Sequence, residues 1–478
     1  MIDLLTLCGY EEHELKADLS RTQRCFRRLG ITDADIEQAK QRLNKYYDME
    51  LPAVRRAIGL CIKDVIDTVL AREDGKKVVY GIMASCLEVI GTAVRLYSDE
   101  ICVSQITNSF PFVLGCVFGK LVPILEAAEC EWLRAGWVRH CGNVKTSVGL
   151  LSLGLIPKPD LLVTSGQLCD TAPKTVDLLH DLYDIPVCYF DTCQDASFGE
   201  YPDLRRPGRL LAKSLREMSQ KVEEIAGFEI TDDMVLEAVE RRNKLGQAVR
   251  NLQTLLEGSD PMALSPTHEQ IWACLSTSSY NLHSLEEATA VLNALCREVL
   301  ENRISWGKGV LQKGAPRVLC TLPANASDPR QEHLLCEMGI ASVSSEAGLF
   351  PLHGNRYIDF DLEKPADPYE MIAQNLQKPL FQVVSARASI IIEACKRLGV
   401  DGVLCRYHVG CRNVTADAII LRNEITRQLA IPVLLIQWES FDPRIYNEVD
   451  LRAQLQAFKE IMTERASTKR LNKDSMTL

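Results

Sequence analysis

The chain has 478 residues, 46% of them hydrophobic, 25% charged and only 6% aromatic, the balance of a globular protein rather than a disordered or fibrous one. Its formal net charge of −10 leaves no global basic field to attract nucleic-acid phosphates or anionic lipid, so neither partner is expected. At roughly 150 residues per domain, the length suggests about three structural units.

The first segment, MIDLLTLCGYEEHELKAD, has no basic stretch before its short apolar run and meets Glu11, Glu12 and Glu14 at once. That is unlike a secretion signal, and a cytoplasmic protein is expected. Residues 11 to about 73 read as three helices, the second opening on an N-cap at Thr32 or Asp33. From Lys76 the texture changes to short β-branched runs, KVVYGIM, AVRLYS, LLVTSG, VCYFDT, RVLCTLP, GVLCRYH and VLLIQWE, separated by segments of helical period. Such alternation predicts α/β architecture with parallel sheets. The apolar stretch from Phe110 to Ala128 is broken by Pro111, Lys120 and Pro123 and falls short of the ~20 residues of a membrane helix. Leu210 to Leu256 and Ser265 to Arg303 are rich in helix formers, and the tail after Arg465 is polar and expected to fray. The predicted organisation is a helical extension (1–75), a first α/β lobe (76–258), a helical bridge (259–313), a second α/β lobe (314–465) and a flexible tail (466–478).

The two lobes share an internal repeat. DLLVTSGQLC with TVDLLHDLYDIPVCYFD parallels DGVLCRYHVGC with AIILRNEITRQLAIPVLLIQWE, each reading strand, loop, helix, Ile-Pro, strand. Cys169 lies nine residues after Asp160, and Cys411 ten after Asp401. Both thiols therefore fall just past a strand's carboxyl end, where open α/β sheets bind ligands because loops and helix N-termini converge there. Two similar Rossmann-like lobes facing one another would each offer a thiol to a shared cleft.

Eighteen cysteines are many for a chain with no use for a disulfide framework, which points to metal or redox chemistry. Cys61, Cys274, Cys296 and Cys395 sit in helical apolar patterns, where a free thiol behaves as a small hydrophobe. Cys141, in RHCGNVKTSVGLLSLGL, precedes a helical segment whose N–H groups, with Lys145, favour a thiolate. Thiolates from three separate loops, Cys141, Cys169 and Cys411, suffice to hold an iron-sulfur cubane on three corners and leave one iron open. Scattered structural cysteines are the competing reading, since the chain has no C-x-x-C, and zinc lacks closely paired ligands.

The segments HCGNVKTSVG, PKPDLLVTSGQLCDTAPKTVDLLHDLYDIPV, VDGVLCRYHVGC and FDPRIYNEVDLRAQLQAF, in this order, resemble the D-component subunits of the 2-hydroxyacyl-CoA dehydratases. That family is related to the cluster subunits of benzoyl-CoA reductase. The resemblance covers most of residues 76 to 465. It implies one [4Fe-4S] cluster held by Cys141, Cys169 and Cys411, and a lyase that removes water from an acyl-CoA. In that chemistry a separate ATP-hydrolysing iron-sulfur activator supplies one low-potential electron, and a ketyl radical expels the 2-hydroxyl before the electron returns. ATP belongs to the partner, because GCVFGK (115–120) and GKGVLQKG (307–314) fail the phosphate-loop spacing. Relatives work in anaerobic metabolism as dimers, of like or unlike chains.

Departures from the family pattern leave alternatives. Cys86, at the head of a strand-turn element, and Cys193, in DTCQD, are extra ligands, packing neighbours, or, with Cys102, Cys188 or Cys405, parts of a double-cubane [8Fe-9S] cluster. The last reading makes the chain similar to ATP-dependent reductases of the double-cubane or benzoyl-CoA type. A non-catalytic Cys-rich metal scaffold is a further alternative. His408 is a candidate proton shuttle or hydrogen-bond donor to cluster sulfur. Glu439 and Asp191 end matching strands as bases or as caps. RRPGR (205–209) is either a phosphate contact for coenzyme A or a solvated basic turn.

Overall fold

Helices occupy the first seventy residues, each with a local cause. In the computed structural model, which describes residues 1–134, 140–167, 169–191, 205–349, 367–376 and 384–475, they are α1 (Ile2–Leu7), α2 (Glu12–Arg28), α3 (Asp33–Tyr46) and α4 (Pro52–Leu70). Thr32 caps α3 reciprocally, its hydroxyl accepting from the Asp35 N–H while the Asp35 carboxylate accepts from the Thr32 N–H. Pro52 opens α4, where its missing N–H costs nothing. Nearly all apolar side chains of α4 are buried, and they share one continuous core with Val78, Tyr80 and Ile82 of the first strand. The N-terminal helices are thus built into the first lobe's core.

The first lobe runs β1 (Lys77–Ile82), α5 (Leu87–Arg95), β2 (Ile101–Gln105), α6 (Ile106–Phe110), a π-helix (Pro111–Val117), α7 (Val122–Arg134), α8 (Gly142–Ser152), β3 (Leu161–Ser165), α9 (Thr171–Tyr183) and β4 (Val187–Phe190). Four helices follow: α10 (Arg205–Ala226), α11 (Asp232–Glu257), α12 (His268–Thr277) and α13 (Leu282–Asn302). The second lobe comprises β5 (Arg317–Cys320), α14 (Arg330–Glu337), β6 (Ala341–Ser345), α15 (Glu346–Leu349), α16 (Pro368–Leu376), α17 (Val384–Leu398), β7 (Gly402–His408), α18 (Arg412–Leu429), β8 (Val433–Trp438) and α19 (Glu448–Ser475).

Both sheets are fully parallel, and their strand orders match: β2-β1-β3-β4 and β6-β5-β7-β8. Chain direction across each sheet reverses between its first and third strands, so each lobe has a crevice outside the carboxyl ends of β1/β3 and β5/β7. The repeat read from the sequence is β3-α9-β4 and β7-α18-β8. The α/β class and the two similar lobes are as expected.

Three segments differ from expectation. AVRLYS is not a strand: Leu87, Ile90, Ala93 and Val94 are buried at helical spacing in α5. The strands missed are ICVSQ (β2) and ASVSS (β6), both at the outer edge of their sheets. Cysteine and serine dilute the β-branched signal there. RRPGR is the first turn of α10 rather than a loop, and α19 stays helical to Ser475 where the polar composition predicts fraying. Among the described residues no helix is long and apolar enough to cross a membrane.

The lobes meet through close backbone contacts. Gly142 at the start of α8 abuts Phe441 after β8, and Gly115 in the π-helix abuts Ser327. Arg444 closes the seam on Glu129 of α7 at 2.6 Å. These contacts set the carboxyl edges of the two sheets around a shared interior space.

Candidate metal and substrate site

Each of the three predicted thiols stands at the start of a helix. Cys141 is the N-cap of α8, and its Sγ accepts the Asn143 N–H at 3.3 Å. Cys169 lies two residues before α9 and accepts from the backbone N–H groups of Thr171 and Ala172. Cys411 is the N-cap of α18, its N–H donating to the His408 carbonyl at 2.9 Å. Helix N-termini concentrate unpaired N–H groups and partial positive charge, which suits anionic sulfur. All three residues are half-buried and line one cavity of about 200 Å³.

The thiols lie close enough to perturb one another. Burial, then the charges of Glu439, Cys169 and Cys411, push the Cys141 thiol well above its ordinary value. Burial likewise raises Cys169 to about 11, against its two backbone donors. A site that crowds acidic sulfurs in a water-poor space favours a cation among them. Gly410 makes the closeness possible: a Cβ there would stand 2.7 Å from Cys141 Cα and 3.0 Å from Glu439 Oε2.

His408 ends β7 and Glu439 follows β8, so the two meet across neighbouring strand ends, Nε2 to Oε1 at 3.0 Å. Glu439 Oε1 also accepts from the Phe441 N–H at 3.1 Å, a local turn role of the kind strand-end acids fill. The imidazole stands edge-on to Trp438, and its Nδ1 is buried without a hydrogen-bond partner. Among the described residues, Cys141, His408 and Glu439 form the group of three ligand atoms lying within 4.8 Å of one another. The thiol trio is not drawn together that tightly, whereas a single tetrahedral ion with bonds of about 2.3 Å brings its sulfurs to about 3.8 Å.

Loops after the first strand of each sheet complete the wall, and both carry a strained residue. Met83 after β1 has φ 52° and Leu322 after β5 has φ 63°; both line the cavity. Left-handed backbone at a non-glycine costs about 1–3 kcal/mol and persists where surroundings enforce it. For Leu322 the enforcement is visible. Its N–H donates to Glu346 Oε2 at 2.6 Å, and that carboxylate is gripped by Arg387 at 2.6 and 2.8 Å, both side chains fully buried.

A family model described as 2-hydroxyglutaryl-CoA dehydratase, D-component, matches residues 114–462, a span that contains all three thiols, His408 and Glu439. The chain belongs to this family. It is also 22% identical over 344 residues to a benzoyl-CoA reductase subunit from Thauera aromatica, covering 68% of this chain and 77% of that one.

The remaining residues predicted for this D-component chain fall elsewhere. Cys86 is the N-cap of α5, itself left-handed at φ 72°, and packs in the apolar core with Ala84, Leu87 and Val89 rather than along the cavity. Cys102, Cys188 and Cys405 are buried within strands, in three different apolar clusters. Cys193 lies outside the described residues, as do the side chains of Arg205 and Arg206. Lys145 does not lean on the Cys141 thiol; it pairs with Glu129 at 2.9 Å. The Asp191 carboxylate lies beside Gly166. Cys274, read as an inert hydrophobe, lines the cavity.

Sequence reasoning missed much of the lining. Phe112 from the π-helix, Trp272 and Glu269 from α12, and the Leu322-Pro323-Ala324 loop contribute to the wall together with Val414 and Trp438. No pattern in PFVLGCV marks the π-helix, although such segments recur at functional sites. Nothing in THEQIWACLS marks Glu269.

Proposed function

We propose that Cys141, Cys169 and Cys411 hold one [4Fe-4S] cluster, and that the chain acts in eliminating water from a 2-hydroxyacyl-CoA whose acyl end enters the cavity. The carrying observation is the convergence of three thiols from three helix N-termini on one cavity between two lobes. Such a cluster supplies low-potential one-electron transfer and a Lewis-acidic corner. The chain's own residues prepare the place for it. The N–H groups of Asn143, Thr171 and Ala172 donate to two of the sulfurs and favour their anionic form. Phe112, Trp272, Leu322 and Trp438 exclude water, and His408 and Glu439 orient one another beside Cys141.

Family membership supports an ATP-hydrolysing iron-sulfur activator as electron donor, and a second subunit, like or unlike, as partner. The likeness to a chain of benzoyl-CoA reductase keeps ATP-dependent reduction as the second reading. Product analysis separates them. Under anaerobic conditions with such an activator, elimination yields an enoyl-CoA with only catalytic consumption of reductant, whereas reduction consumes reductant stoichiometrically. Formation of neither product from 2-hydroxyacyl or aromatic CoA thioesters contradicts both. The group Cys141, His408 and Glu439 also fits a single zinc ion, and zinc in place of iron would support the metal-scaffold reading.

A further inference from the structure

Glu269, on α12, is the acidic side chain among the described residues that line the cavity. It is buried, and its Oε1 accepts the Ala324 N–H at 2.7 Å while the Ser345 hydroxyl donates to the same carboxyl. The charged groups facing it are Arg406 of β7 and Glu332 of α14, with His268 adjacent in sequence. Arg406 is already committed: it binds Glu332 at 2.9 Å and the Pro323 carbonyl at 2.9 Å, and stacks over Trp438. His268 is neutral near pH 7, since burial lowers it to about 4. Glu269 therefore lacks a direct ion pair, and burial raises it to about 7 despite its two donors and the Arg406 charge. A carboxyl poised near neutrality in a water-poor substrate cavity is the usual design of a general acid–base.

Resting on the dehydratase reading above, we propose that Glu269 carries the proton of water elimination. As the neutral acid it protonates the departing 2-hydroxyl, and as the resulting carboxylate it takes the β-proton of the acyl chain. The Cα–O and Cβ–H bonds break, the Cα=Cβ bond forms, water leaves, and Glu269 ends protonated as it began. The electron lent by the low-potential donor is returned, so the sum is redox-neutral. Glu269 is the only carboxyl among the described lining residues, while the imidazole of His408 is engaged with Glu439, whose carboxylate also accepts from the Phe441 N–H.

The isosteric change Glu269→Gln separates this role from a structural one, because the amide oxygen still accepts from Ala324 N–H but carries no titratable proton. The holoprotein with E269Q is expected to keep its metal content and acyl-CoA affinity within about threefold while kcat falls about 100-fold or more. E269D, with a shorter reach, is expected to recover part of the loss and to shift the pH profile. Unchanged turnover in E269Q overturns the inference and leaves the dehydratase reading standing. Parallel loss of metal and acyl-CoA binding in both variants also overturns it, by showing that Glu269 only braces the loop. A parent protein that binds acyl-CoA yet eliminates no water overturns both.

Discussion

Gly410 offers the sharpest test of how the lobes are fitted together. Its φ lies outside the left-handed region, so alanine is conformationally permitted there and the effect of Gly410→Ala is purely steric. The added Cβ would meet Cys141 Cα at 2.7 Å, Glu439 Oε2 at 3.0 Å and Cys141 N at 3.1 Å. Two of these are backbone atoms at a helix start, which cannot swing aside as a side chain does. Overpacking of this kind costs about 1–3 kcal/mol. With an unfolding entropy of ~2.1 cal/mol/K per residue, the whole chain gains ~1 kcal/mol/K, so Tm falls by only ~1–3 °C. The larger consequence is at the site, since relief of the clash moves Cys141 away from Cys411. Metal content and Tm of G410A, measured beside the control Gly258→Ala, check this. Gly258 has ordinary contacts, 3.5 Å to the Thr254 carbonyl at the nearest. G410A is expected to lose more than about half its metal, as a ligand displaced by a fraction of an ångström lowers affinity 10-fold or more, while G258A keeps it. Full metal content in G410A would refute the reasoning.

Arg387→Ala leaves Glu346 buried and uncompensated, and is expected to cost about 3–5 kcal/mol in chemical denaturation; a loss under about 1 kcal/mol contradicts the assigned clamp on Leu322. Burial alone raises Glu14, yet hydrogen bonds from Arg56 and the Glu11 N–H, with the charges of Arg56 and Lys63, bring it down to about 2. Its folded value lies below the unfolded one of about 4.5, so its contribution is present above pH 4.5 and lost as pH falls toward 2. Glu14→Gln is therefore expected to be less stable than the parent at pH 7, with the gap narrowing as pH falls from 4.5 toward 2; a gap independent of pH contradicts the pairing. Glu269 has the opposite sign. Its folded value of about 7 exceeds the ordinary 4.5, so the parent loses stability as pH rises from 4.5 through 7 and E269Q does not. Identical pH–stability curves for the two proteins contradict the buried, unpaired carboxyl.

The sequence made the parallel lobes and the two strand-end thiols legible because the buried strands LLVTS and GVLCRYH open on short apolar runs, LLV and GVLC, between turn signals. Their twofold repetition located Cys169 and Cys411 with little ambiguity. The edge strands β2 and β6 were illegible, since a half-paired strand with serine and cysteine carries neither strict alternation nor β-branched density. At the site, the cysteines that open helices were found, whereas Met83 and Leu322, just past the ends of β1 and β5, and the side chains delivered by packing were not. Glu269 and Trp272 reach the cavity only because α12 crosses between the lobes, a relation of distant segments that no local pattern encodes. Leu322 is a similar case: its left-handed backbone is imposed by Glu346 and Arg387, more than twenty and sixty positions away.

Three sulfurs sharing one inorganic core are the premise of the proposed function. Iron and sulfide counted after anaerobic purification of the parent and of Cys141→Ala, Cys169→Ala, Cys411→Ala and the control Cys86→Ala address this directly. About four iron and four sulfide per chain are predicted for the parent and for C86A, with loss of the brown chromophore in each of the other three variants. Undiminished iron in C141A, C169A and C411A alike, or a parent that carries no iron at all, would contradict it.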